Sequence, residues 1–187
     1  MNKVFQLKVT LLDSKPPIWR VIEVFDSDSF YKLHMVIQHA MRWDDYHLHN
    51  FALSSSRKNG KVTLIGVKSD DELDNDPDEL DGFVEKLSKY ADVFEKGKIV
   101  YTYDFGDNWE LKIELQATFP PEKGVDYPRC IQGEQASPPE DCGGIDGYYY
   151  FLEAYKDKKH EDYATARDMF GKGFDPNHFD VNELFGE

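Results

Sequence analysis

Ile99-Val100-Tyr101-Thr102-Tyr103-Asp104-Phe105-Gly106-Asp107-Asn108-Trp109-Glu110-Leu111-Lys112-Ile113-Glu114-Leu115 carries the plainest structural message in this 187-residue chain. Ile99, Tyr101, Tyr103 and Phe105 recur at every second position, Gly106-Asp107-Asn108 supplies turn formers, and Trp109, Leu111, Ile113 and Leu115 alternate again. Successive side chains of a strand point to opposite faces, so the stretch predicts a β-hairpin with one apolar face. Such a face needs a partner, and the flanking sequence must provide it.

Toward the N-terminus, Phe5, Leu7, Val9 and Leu11 alternate with Gln6, Lys8 and Thr10, and residues 18–25 form a second β-rich run. Asp13-Ser14-Lys15-Pro16-Pro17 between them predicts a hairpin turn, with the prolines where no ladder donor is needed. Asp28 is placed to cap a helix whose Phe30, Leu33, Ile37, Ala40 and Met41 form one apolar stripe for packing on that hairpin. After Trp43, His47, His49, Phe51 and Leu53 share one strand parity, so the chain opens as ββαβ. Asn59-Gly60 suits a turn.

Residues 70–81 hold eight acids in twelve positions and read as an exposed acidic loop entering a helix at Phe83, Val84 and Leu87. Asp74, Asp76, Asp78 and Glu85 match four calcium-ligand offsets of an EF-hand. Glu79, however, stands where the turn glycine belongs, and Pro77 intrudes. A solvated charge run at a helix N-terminus is the better account. Toward the C-terminus, the proline- and glycine-rich residues 120–147 predict an ordered irregular loop over the core, followed by helices at 148–155 and 163–170.

The expectation is an α+β fold in a single domain spanning residues 1–187. A β-grasp-like ββαβ core is extended by the further hairpin and covered by the Pro/Gly-rich loop and C-terminal helices. The net charge of -14 disfavours direct nucleic-acid binding, because phosphate backbones are held through Lys and Arg that displace counterions. No apolar run is long enough to span a bilayer, and residues 1–7 lead straight into a strand pattern, so the expected location is the cytoplasm with no membrane contact. Two cysteines, Cys130 and Cys142, are too few for a disulfide scaffold.

Five signatures stand in order along the chain. They are Pro16-Pro17-Ile18-Trp19-Arg20; Leu33-His34 with Ile37-Gln38 and Trp43; His47-Leu48-His49 with Phe51; Tyr101 through Trp109; and Tyr127-Pro128-Arg129-Cys130 leading to Pro138-Pro139-Glu140-Asp141-Cys142-Gly143-Gly144 and Gly147-Tyr148. With Phe174-Asp175-Pro176 and Phe179-Asp180 they resemble the plasmid Ri open-reading-frame-three-like family over nearly the whole chain. The resemblance implies a plasmid- or transposon-associated passenger protein. Some members carry a resolvase label, which is not carried over: neither a serine recombinase set nor an Arg/His/Arg/Tyr set can be assembled here. The chain departs from the family pattern at Arg42, where a glycine usually precedes the tryptophan, and at Leu111, where a histidine often follows Trp109.

Polar chemistry concentrates at a few places. His47 and His49, two apart on an expected strand, point the same way and with His34 form a candidate divalent-metal set. The bland reading is that each imidazole closes the core edge through a hydrogen bond. Asp104 and Asp107 flank the hairpin turn, either as a ligand-binding carboxylate pair or as turn acceptors locked by Trp109. Glu140, Asp141 and Cys142 sit before two glycines, but neighbouring carboxylates would raise the thiol pKa and oppose nucleophilic use. The first functional expectation is therefore a non-enzymatic binding or accessory module with a protein or peptide partner. The alternative is a metal-assisted hydrolase using His34, His47, His49, Asp104 and Asp107, and the third a DNA-mobility accessory acting through a partner.

Overall fold

The computed structural model describes residues 2–55, 62–67 and 78–184. The acidic stretch with its EF-hand-like offsets falls largely outside them, as does the Asn59-Gly60 turn. Among the described residues the chain runs β1 (Val4–Leu11), β2 (Trp19–Phe25), α1 (Phe30–Met41), β3 (His49–Ser54), β4 (Val62–Gly66) and β5 (Leu80–Asp81). It continues with a 3-10 turn (Leu87–Tyr90), α2 (Ala91–Lys96), β6 (Lys98–Tyr103), β7 (Trp109–Phe119), β8 (Arg129–Glu134), α3 (Gly144–Lys156), α4 (Tyr163–Phe170) and a last 3-10 turn (Val181–Leu184). Helices and one mixed sheet make an α+β fold.

The strands join in the order β5-β4-β3-β6-β7-β1-β2-β8. Every pairing is antiparallel except the short β4–β5 contact. The expected hairpin over residues 99–115 forms, but it does not extend the ββαβ unit from outside. It is inserted between β1 and β3, because its two edges complete the ladders left open by the first hairpin and by β3.

Register fixes which side chains share a face. Leu7 lies between Ile22 and Leu115, Val9 between Arg20 and Ile113, and Tyr101 between Leu111 and Phe51. This face is the core, and each large aromatic such as Tyr101 or Trp109 that is fully buried on it contributes on the order of 2 kcal/mol through area removed from water. The opposite face carries Gln6, Lys8, Thr10 and Lys112, all half-buried, as expected of an antiparallel sheet with one solvated side. The α1 helix packs on β2, β4 and β8, and α2 on β6 and β7. The stripe Phe30, Leu33, Ile37, Ala40 and Met41 is buried as its spacing predicts.

Several local expectations need correcting. Ser29, not Asp28, caps α1, its Oγ accepting from the Lys32 N–H at 3.1 Å. Asp28 instead accepts from the Phe25 N–H and ties off β2. β3 begins at His49, so His47 lies in the preceding bend and off the strand parity. Phe105 leaves the core pattern and is 53% exposed, because Asp104 adopts a positive φ of 54° and ends β6. Residues 120–147 are not wholly irregular: β8 pairs with β2, with Cys130 opposite Ile22, and α3 starts at Gly144. Phe83 and Val84 precede a 3-10 turn and α2 instead of opening a helix.

Candidate functional site

The β1–β2 and β6–β7 turns and the start of β3 lie at one end of the sheet, since Leu11 pairs with Leu111 and His49 with Tyr103. Three loops meet there: residues 42–48, the turn at 104–108, and residues 137–143. Trp43 holds the first and third together, its indole N–H donating to the Pro138 carbonyl at 3.0 Å while its ring stacks on Tyr103 at 5.2 Å. Tyr103 donates to Glu140 Oε1 and accepts from the Tyr46 N–H, and Glu140 Oε2 accepts from the Asp44 N–H at 2.7 Å. Glu140 is thus consumed in joining loops. Burial, aided by that carboxylate, pushes the Tyr103 phenol above its ordinary range.

The histidines separate into two groups. In the first, α1 presents His34 and Gln38 one turn apart toward Tyr101 of β6. The Gln38 side-chain amide donates to the Tyr101 oxygen at 2.8 Å, and Tyr101 donates to His34 Nδ1 at 2.8 Å. His34 Nε2 bonds Asp45 Oδ1 at 2.8 Å, and the Asp45 N–H returns to Gln38 Oε1 at 3.1 Å. The circuit closes on itself and requires a neutral imidazole protonated at Nε2. A carboxylate beside His34 would by itself favour the imidazolium, but the ring is fully buried, and burial pulls it down to about 4. His49 lies flat on His34, with centroids 3.5 Å apart and 3° between planes. Burial, then the neighbouring His34, pulls His49 down to about 3.

The second group gathers His47, Asp104 and Asp141. His47 Nε2 is 3.0 Å from Asp141 Oδ1 and 3.7 Å from Asp104 Oδ2. Asp104 is buried, His47 half-buried and Asp141 70% exposed, so the group opens to solvent on one side. Asp104 also accepts from the Gly106 N–H, the turn role read from the sequence. Asp107 does not join Asp104. It accepts from the Gly143 N–H at 3.0 Å, pinning the start of α3, where a Cβ on Gly144 would lie 2.3 Å from the Asp107 carbonyl oxygen.

The expected set of His34, His47 and His49 therefore does not converge on one point. Among the described residues, two three-residue groups instead offer ligand atoms within 4.8 Å of one another, His34/Asp45/His49 and His47/Asp104/Asp141. Cys142 is buried, and burial, then Asp107, pushes its thiol up to about 12, against any nucleophilic role. Trp109 is buried, with no partner for its indole N–H among the described residues. Asp45 and Tyr101 escaped the sequence reading. Tyr101 was legible as core alone, and nothing marks Asp45, a loop residue that itself sits at φ 57°.

A family model described as plasmid pRiA4b ORF-3-like protein matches residues 3–183. The chain belongs to that family. It is 34% identical over 168 residues to the uncharacterized protein y4hQ of Sinorhizobium fredii, spanning 90% of this chain and 81% of the relative. Its fold matches the crystal structure of MM3350, a protein of unknown function from Methanosarcina mazei Go1, at 39% identity and a TM-score of 0.86 over 98% of each chain. One departure from the family pattern now has a structural meaning. Arg42 is the C-cap of α1 at φ 56°, a left-handed conformation that glycine adopts without steric cost.

No helix among the described residues is long and apolar enough to cross a membrane. One concavity is lined by none of the residues of the two histidine groups. This groove of about 480 Å³ runs between the C-terminal end of α1, residues 136–139 and the chain beyond α4. Met41, Met169, Phe170, Phe174 and Phe179 supply apolar surface, with Arg20 in its wall.

Proposed function

We propose that the chain acts as a binding module for a peptide segment of a partner protein and carries no complete catalytic set of its own. The observation that carries this reading is the groove walled by Met41, Met169, Phe170, Phe174 and Phe179. Methionine and aromatic side chains adapt to apolar partners, and a volume of about 480 Å³ admits one or two anchor residues. Selection of random peptides displayed with free C-termini tests the reading. A consensus with an apolar anchor on the wild-type chain, lost on Phe174→Glu, is expected; enrichment of no consensus would overturn it.

A second reading concerns His47, Asp104 and Asp141. One nitrogen and two carboxylate oxygens converging with an open side suit a divalent cation such as zinc or manganese, with coordination positions left for water or a ligand. His34 is a poorer ligand because both ring nitrogens are engaged in the closed circuit. Metal analysis of protein purified without chelators tests the site, together with thermal shift on adding zinc, manganese or nickel. No bound metal and no shift would remove this site, and with it the metal-assisted hydrolase expected from His34, His47, His49, Asp104 and Asp107. We infer further that the N-terminal ββαβ unit is β-grasp-like. That likeness is supported by α1 lying across the sheet between the first hairpin and β3, although β1 meets β7 antiparallel where a β-grasp has a parallel centre.

A further inference from the structure

Arg20, Ile22 and Val24 of β2 share the core parity with Ile18 just before the strand, so a cation stands where the pattern calls for an apolar side chain. Arg20 is 2% exposed. Its Nε–H donates to the Ala40 carbonyl at 2.9 Å, Nη1 to the carbonyls of Trp19 and Glu134 at 2.8 and 3.0 Å, and Nη2 to Ser137 Oγ at 2.8 Å. Phe179 covers one face of the guanidinium at 4.1 Å. All four acceptors are neutral, and a guanidinium has five N–H groups, so one on Nη2 remains. No ion pair to Arg20 exists among the described residues. The acids of the groove are engaged elsewhere: Glu183 bridges Arg42 and His178, and Asp175 and Asp180 accept from Asn177 and Asn182.

The opposite face of the same strand shows the usual arrangement. Glu23 is 3% exposed and pairs with Arg129 Nε at 2.7 Å, as a buried charge normally must. Burial pulls Arg20 down to about 10, which still leaves it charged at neutral pH.

We propose that the groove takes the free C-terminal carboxylate of a peptide ending in an apolar residue, anchored on the remaining Nη2–H of Arg20. This rests on the peptide-binding reading above and names its ligand chemistry. The cation is buried in the groove wall beside apolar surface, so the anion must arrive on a short stalk next to an apolar group. A terminal residue does this, holding its carboxylate one bond from the Cα that carries its side chain. The chain's net charge of -14 repels anions at long range, so affinity for one must come from a local contact.

The test is an NMR titration of the full chain with acetyl-Gly-Gly-Phe as the free acid and as the C-terminal amide, at about 0.15 M salt. The acid is expected to bind at least about tenfold tighter, shifting the Arg20 Nε–H and the Phe174 and Phe179 signals. The gap should close in Arg20→Met. Should that variant not fold, salt on the wild-type chain serves instead, weakening the acid while leaving the amide unchanged. Equal binding of acid and amide, or no salt effect on the acid, overturns the carboxylate anchor and leaves the groove reading intact. Shifts from neither peptide overturn both. Binding of 3-phenylpropionate as tight as that of the tripeptide acid overturns the peptide terminus as the source of the carboxylate.

Discussion

His34 and His47 sit at the same end of the same sheet in opposite settings. His34 is fully buried, with both nitrogens spent in a circuit that passes through Tyr101, Gln38 and Asp45 and returns to its start. His47 faces two carboxylates at 3.0 and 3.7 Å with solvent beside it. A closed circuit, open to water only at Asp45, fixes how α1 sits on β6 and leaves neither nitrogen of His34 for a ligand. An open one adds little to the fold and keeps its valence for something else. Residue type is the same in both, and closure decides the role.

The largest effect should come from breaking the closed group. His34→Ala removes a buried ring and takes a partner from the Tyr101 hydroxyl and from the Asp45 carboxylate, and should cost about 3 kcal/mol or more in urea unfolding. A loss under about 1 kcal/mol would show that the circuit does not hold the helix. Acid comes next. His34 is held neutral in the fold by burial, down to about 4 against an ordinary 6.5, so below about pH 6.5 the unfolded chain takes up the proton first. Stability from this group is complete above that pH and drains as pH falls toward 4, by an amount on the order of a few kcal/mol. Urea midpoints across that window check it, and the slope should be shallower in His34→Ala.

Tyr101→Phe is a finer cut, keeping the ring while removing the hydroxyl that links Gln38 to His34; a cost of about 1–3 kcal/mol is expected. The smallest stability effect belongs to the open group. His47→Ala and Asp141→Asn should each shift unfolding by less than about 0.5 kcal/mol, yet abolish any thermal shift produced by zinc or manganese. A variant that lost stability like His34→Ala would erase the contrast.

Legibility in the sequence followed the same division. The alternation in residues 4–11 and 99–115 and the stripe from Phe30 to Met41 reported strands and helix because burial repeats with the period of each element. Strand order was not legible. Nothing in the spacing says that the β6–β7 hairpin enters between β1 and β3, since pairing partners are chosen by the whole sheet. β8 was hidden because Arg129-Cys130-Ile131-Gln132-Gly133-Glu134 has a weak apolar pattern inside a proline-rich stretch. The site residues were recognised by type, but their grouping was not: His47 and His49 part company because the strand begins only at His49. Arg20 did leave a signal, a cation on core parity between Ile18 and Ile22, whose meaning emerges only once its neighbours are known to be uncharged.

Gly133 faces Arg20 across the β2–β8 ladder, and a methyl group there would lie 2.7 Å from the Phe179 ring and 2.8 Å from Arg20 Cδ. The missing side chain is the notch into which the distal segment slots its phenyl ring. An alanine at that position would act as a wedge, lifting the ring off the guanidinium and letting water in. The shape of the whole C-terminal wall thus hangs on one absent carbon.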